Sequence, residues 1–117
     1  MDINELLKTN VIRAKRWHGE EDWNALEWAG AMCGEAGEAA NAAKKLRRIE
    51  QGMKNINETA RDLRSIPEAQ KAVAKEVADT IIYGLLLMAR VGVTDAEEII
   101  REVFNKKSEE YGFPERI

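Results

Sequence analysis

Apolar residues recur along this chain at helical rather than strand spacing. Ile3, Leu7, Val11 and Ala14 lie three or four apart behind Asp2, a good N-cap, so a first helix is predicted to run from there to about Trp17. His18 to Asp22 reads as the turn that ends it. A second helix is predicted from near Asn24 to about Glu50, with Gly52 as its stop. Its first half, Ala25 to Ala43, is rich in Ala and Gly, and its second half turns basic at Lys44-Lys45-Leu46-Arg47-Arg48. Gly30, Gly34 and Gly37 each cost roughly 1 kcal/mol relative to Ala in a helix, a cost expected where another backbone or a ligand comes close. Gln51 to Pro67 reads as a connection with one small helical turn at Asn57–Ala60. The third helix is predicted from Pro67 or Glu68 to Val91, stopped by Gly92, with Val73, Val77, Ile81, Leu85 and Met88 in one stripe. Ile82, Leu86 and Leu87 add apolar residues on its other faces. A capping box, Thr94-Asp95-Ala96-Glu97, opens a fourth helix in which Ala96, Ile99, Ile100, Val103 and Phe104 are expected to face inward. It is expected to fade near Glu110, leaving Tyr111-Gly112-Phe113-Pro114 as a tail. Four such helices predict an all-α protein, a four-helix bundle.

The 117 residues are expected to form a single domain spanning 1–117, and 44% apolar content supplies a core. With 18 Lys and Arg against 21 Asp and Glu, the net charge of −3 argues against binding a nucleic-acid polymer by bulk charge. The longest uncharged run, Thr80 to Ala89, is about half of a membrane span, so no membrane association is expected. The start, Met1-Asp2-Ile3-Asn4-Glu5, has neither the basic residues nor the apolar run of a secretory leader. The single cysteine, Cys33, has no internal disulfide partner and reads as a small core residue. These features predict a cytoplasmic protein. The third helix, apolar on most faces, offers more surface than one short chain covers, so a homodimer or homotetramer is expected.

Four carboxylates stand apart from the rest. Glu35 and Glu38 are three apart on the second helix, and no Lys or Arg occurs between Ala29 and Ala43. Glu76 and Asp79 repeat the spacing on the apolar third helix, where Lys75, four residues before Asp79, could account for one exposed pair. Residues three apart share a helix face, so each pair repels itself. Unpaired charges of this kind call for a neutralising partner, and a divalent cation is the economical one. Oxygen donors without sulfur or imidazole suit a hard cation, Mg²⁺ with Mn²⁺ as a substitute. The one histidine, His18, leaves no room for a His-rich zinc or di-iron site. Mg²⁺ characteristically shares its shell with substrate phosphates.

Gly34-Glu35-Ala36-Gly37-Glu38-Ala39-Ala40 followed by Lys75-Glu76-Val77-Ala78-Asp79-Thr80-Ile81-Ile82-Tyr83 resembles the MazG-like all-α nucleoside triphosphate pyrophosphatases, nearest to the dCTP pyrophosphatase branch. The resemblance runs from Ile12 to about Tyr111, and takes in Asp22-Trp23 and Asn105-Lys106-Lys107. It implies hydrolysis of a nucleoside triphosphate, or deoxynucleoside triphosphate, to the monophosphate and pyrophosphate. It also implies Mg²⁺ held by Glu35, Glu38, Glu76 and Asp79. Two departures stand out. Gly34 occupies a position where many members carry a further Glu, and the gap from Glu38 to Glu76 is longer than usual.

The remaining candidates each have two readings. Glu35 or Glu38 could hold or deprotonate the attacking water while the other carboxylates ligate metal. Trp23, in the turn before the second helix, could stack on the nucleobase or plug the space between the first two helices; Trp28 reads as core. Tyr83 shares a face with Glu76 and Asp79 and could line the site, or be an ordinary core tyrosine. Lys44, Lys45, Arg47, Lys75, Lys106 and Lys107 could meet the outer phosphates or be solvated helix residues, and Asn105 joins them through the resemblance. Glu97 and Arg101 have the spacing of a simple surface ion pair. The rival of a different class is a non-enzymatic helical dimerisation module with a structural divalent-cation site.

Overall fold

The computed structural model describes residues 1–19, 22–52 and 64–117, and their regular structure is entirely helical. Helix α1 spans Ile3–His18, α2 Ala25–Glu50, α3 Ile66–Arg90 and α4 Ala96–Tyr111. The chain is therefore all-α, as its periodicity predicts. The small helix expected at Asn57–Ala60 lies outside the described residues.

Local chemistry fixes the helix ends. The Asp2 carboxylate accepts the Glu5 N–H at 2.7 Å, capping α1. Helix α3 starts one residue before Pro67, because the Ser65 hydroxyl accepts the Glu68 N–H at 3.2 Å. Pro67 thus falls in the first turn, where a missing N–H is no loss. The cap of α4 is Asp95 rather than Thr94: its carboxylate accepts the Glu98 N–H at 3.0 Å. Helices α3 and α4 both stop in a Schellman motif. Val93 N–H reaches Met88 C=O and Gly92 N–H reaches Ala89 C=O, each at 3.0 Å. Phe113 and Gly112 repeat the pattern on Ser108 and Glu109. Gly92 (φ 93°) and Gly112 (φ 70°) occupy the left-handed region that these stops require.

The chain groups into two units. One comprises Met1–Ala25 and Leu85–Ile117, with Leu7, Leu85 and Ala96 buried and Ile3, Leu6, Val11, Met88, Ala89 and Val93 packed around them. Leu86 is buried here too. The N-termini of α1 and α4 interlock in this unit. Asn4 Nδ2 donates to Asp95 Oδ1 at 2.9 Å, while Asn4 Oδ1 accepts the Glu97 N–H at 3.2 Å. Glu97 Oε1 in return accepts the Ile3 N–H at 3.1 Å. Each helix thereby satisfies orphan N–H groups of the other. The expected Glu97–Arg101 pair gives way to this arrangement, and Arg101 pairs with Glu98 at 2.7 Å.

The face of α4 differs from expectation. Ala96 is fully buried, but Ile99, Ile100, Val103 and Phe104 remain 39–64% exposed. The other covered positions of α4 are Glu97, Asn105 and Ser108, which lie on a different flank. Periodicity identifies an apolar stripe, whereas polar grips at Glu97 and Asn105 decide which side of α4 is covered. Asn105 holds Ile117, accepting its N–H at 2.9 Å and donating to its C=O at 3.1 Å.

The other unit, Leu26–Gly84, contains most of α2 and α3. Trp28 and Ala69 are buried, and the Trp28 ring lies 6.1 Å from that of Tyr83 at 48°. A Cβ on Gly84 would sit 3.4 Å from Met32 Sδ, an ordinary contact between α3 and an α2 side chain. At Gly30, Gly34 and Gly37 a Cβ would meet no protein atom within 4 Å, so no neighbouring backbone comes close at these glycines. Cys33, beside them, is exposed rather than core. Within the α3 stripe, Val77 and Ile81 are 44% and 51% exposed.

Candidate functional site

The Leu26–Gly84 unit brings both carboxylate pairs together. Glu35 and Glu38 occupy successive turns of α2, as do Glu76 and Asp79 of α3. Carboxylate oxygens of Glu35, Glu38 and Glu76 all lie within 4.8 Å of one another. Glu38 is close enough to both Glu35 and Glu76 to disfavour the ionised form of each. Asp79 is outside this tight group, yet its charge acts on both Glu35 and Glu76.

Electrostatics follow from the geometry. Desolvation, then the charges of Glu38 and Asp79, push the Glu35 carboxyl above the ordinary carboxylate range. The Glu76 carboxyl rises as well, through desolvation, its hydrogen bond with Glu38 and the charges of Glu38 and Asp79. The sequence argument rested on burial, and here it needs correction. Glu38 and Asp79 are exposed, and Glu35 and Glu76 only half-buried. Desolvation first, and then the neighbouring carboxylates, oppose the ionisation of Glu35 and Glu76.

This donor set fits one hard cation. Glu35, Glu38 and Glu76 would hold such a cation through their carboxylate oxygens, with Asp79 one turn further along α3.

Other candidates fall in both units. Tyr83 lies on α3 one turn after Asp79, half-buried with its ring beside Trp28. Lys45, half-buried on α2, stands two turns beyond Glu38. Trp23, Asn105 and Lys106 belong to the unit containing α1 and α4. Asn105 is occupied by Ile117 there, and Lys106 is exposed. Trp23 is half-buried, its ring 4.6 Å from His18 at 50°, and His18 lies 5.8 Å from Trp17. Arg90, absent from the sequence candidates, donates from Nε to the Trp23 carbonyl at 2.9 Å. A cation ending an apolar helix reads simply as a complement to the helix dipole, so spacing gave no sign of this contact. Comparison with protein-family models, curated proteins and solved structures finds no match to the chain.

Proposed function

We propose that this protein is a cytoplasmic Mg²⁺-dependent nucleoside triphosphate pyrophosphohydrolase, with a deoxynucleoside triphosphate as the preferred substrate class. The single observation carrying the reading is the convergence of Glu35, Glu38 and Glu76 within 4.8 Å, with Asp79 adding its charge. When bound, Mg²⁺ supplies positive charge against phosphate oxygens and lowers the pKa of water. Glu35 or Glu38 takes the proton of the water that attacks the α-phosphorus. The bond from that phosphorus to the α–β bridging oxygen breaks, and pyrophosphate leaves with the electron pair. Lys45 meets the outer phosphates, and Tyr83 lines the site. Exposed Val77 and Ile81 supply the contact surface of a homodimer or homotetramer. Leu86, buried within the chain, is unsuitable as a probe of that interface.

The test is hydrolysis of a deoxynucleoside triphosphate panel with pyrophosphate detection. Glu38→Gln and Asp79→Asn should each remove nearly all turnover while leaving far-UV circular dichroism intact. Activity that survives EDTA, or full activity in both variants, defeats the proposal. Thermal stabilisation by Mg²⁺ without turnover would instead support the non-enzymatic module.

A further inference from the structure

We infer that Trp28 is a positioning residue for the carboxylate site: its ring contact with Tyr83 fixes the register of α2 against α3 that brings Glu35, Glu38 and Glu76 together. The inference rests on the cation site of the proposed function. Trp28 lies seven residues before Glu35, and Tyr83 seven after Glu76, so each ring shares a helix face with a carboxylate two turns away. Trp28 meets Tyr83 at 6.1 Å, and Glu38 meets Glu76 within 4.8 Å, so residue numbers rise along α2 as they fall along α3. The two helices therefore run antiparallel, with the aromatic and acidic contacts as successive rungs about 10.5 Å apart.

Little else in the Leu26–Gly84 unit can hold that register. From Ala29 to Ala43, α2 is mostly Ala and Gly, which raise few ridges to lock into the grooves of a neighbour. On α3, Val77 and Ile81 are 44% and 51% exposed. Thr80 turns its hydroxyl back on its own helix, donating to the Glu76 carbonyl at 3.0 Å. Among the described residues, Trp28 and Ala69 are the buried apolar side chains of this unit, and Trp28 is the one with bulk. A slip of one turn moves a helix by about 5.4 Å, more than the 4.8 Å within which the carboxylate oxygens converge. Trp28 thereby governs cation binding without touching the cation.

The experiment compares wild type with Trp28→Ala and with the exchanged pair Trp28→Tyr/Tyr83→Trp. Mn²⁺ affinity is read by electron paramagnetic resonance. Register in the metal-free protein is read by the nuclear Overhauser contact between the Met32 methyl and Gly84 Hα, which adjoin across the two helices. Asn4→Ala, which removes hydrogen bonds in the other unit, controls for a general loss of stability. Trp28→Ala should lose the Met32–Gly84 contact and weaken Mn²⁺ binding about 10–100-fold, the range for residues that orient metal ligands. The exchanged pair, which again sets ring against ring, should recover most of both, and Asn4→Ala should bind Mn²⁺ as wild type does. If Trp28→Ala does not fold, Trp28→Leu, which keeps apolar bulk without a ring, takes its place and must show the same losses. Wild-type affinity or an intact Met32–Gly84 contact in the ring-less variant overturns the inference and leaves the pyrophosphohydrolase reading standing. Equal weakening in Asn4→Ala also overturns it, by showing a folding effect. If wild type binds Mn²⁺ but hydrolyses no nucleotide, the pyrophosphohydrolase reading fails, and the affinity comparison still decides the role of Trp28. Absence of Mn²⁺ binding by wild type overturns the inference itself.

Discussion

Replacing Asn4 with Ala removes the amide that joins the starts of α1 and α4. Two hydrogen bonds go with it, the 2.9 Å bond to Asp95 and the 3.2 Å bond from the Glu97 N–H. Each is worth about 0.5–1.5 kcal/mol net, and partial exposure puts the expected total at about 1–2 kcal/mol. On the usual scaling for a domain of this size, that lowers Tm by about 4–8 °C. The consequences reach past Asn4, because Asp95 must then cap α4 alone and Glu97 loses the partner that aligns it with Ile3. Asn4→Ala and Asp95→Ala should therefore combine non-additively, the double variant losing less than the two singles together. Asn4→Asp is the sharper control. It keeps an acceptor for the Glu97 N–H but sets a second carboxylate against Asp95, so it should be less stable than Asn4→Ala at pH 7. The assay is urea unfolding followed by circular dichroism at fixed pH, with comparable m-values required. An Asn4→Ala protein as stable as wild type, or strict additivity with Asp95→Ala, would refute the interlock.

Further outcomes follow from the same structure. Glu35 and Glu76 titrate above 4.5 in the metal-free fold, so the folded state binds more protons than the unfolded chain there. Their contribution to stability should fall as pH rises from 4.5 through the folded values, and saturating Mg²⁺ should abolish that fall. Asp95 behaves oppositely: hydrogen bonds from Asn4 and the Glu98 N–H, opposed by desolvation, hold it below 3.8. Its contribution is present above 3.8 and lost as pH drops through the folded value, a loss that Asp95→Asn should reduce in an acid titration.

Much of this architecture was legible because helix formation is local. Asp2, Gly52, Gly92 and the change at Pro67 carry their instructions within a few residues, and the four helices end within two residues of the expected positions. Features that depend on distant partners were less legible. Glu97 has an i+4 arginine in the sequence, yet its carboxylate reaches Ile3, ninety-four positions away. The α4 stripe from Ile99 to Phe104 was evident as a pattern, but a pattern names no covering surface. Gly30, Gly34 and Gly37 suggested that another backbone or a ligand comes close, and no protein backbone does. For the site, repeated three-residue acidic spacing identified the carboxylates that converge. The tighter association of Glu35, Glu38 and Glu76, with Asp79 outside it, depends on how α2 faces α3.

The most direct measurement of the central claim is hydrolysis of a deoxynucleoside triphosphate in ¹⁸O-labelled water with Mg²⁺, read by ³¹P NMR. Attack at the α-phosphorus predicts deoxynucleoside monophosphate carrying the label and unlabelled pyrophosphate, with neither formed in EDTA. Orthophosphate with a nucleoside diphosphate, label in the pyrophosphate, or an intact triphosphate after prolonged incubation with the Mg²⁺-loaded protein would contradict it.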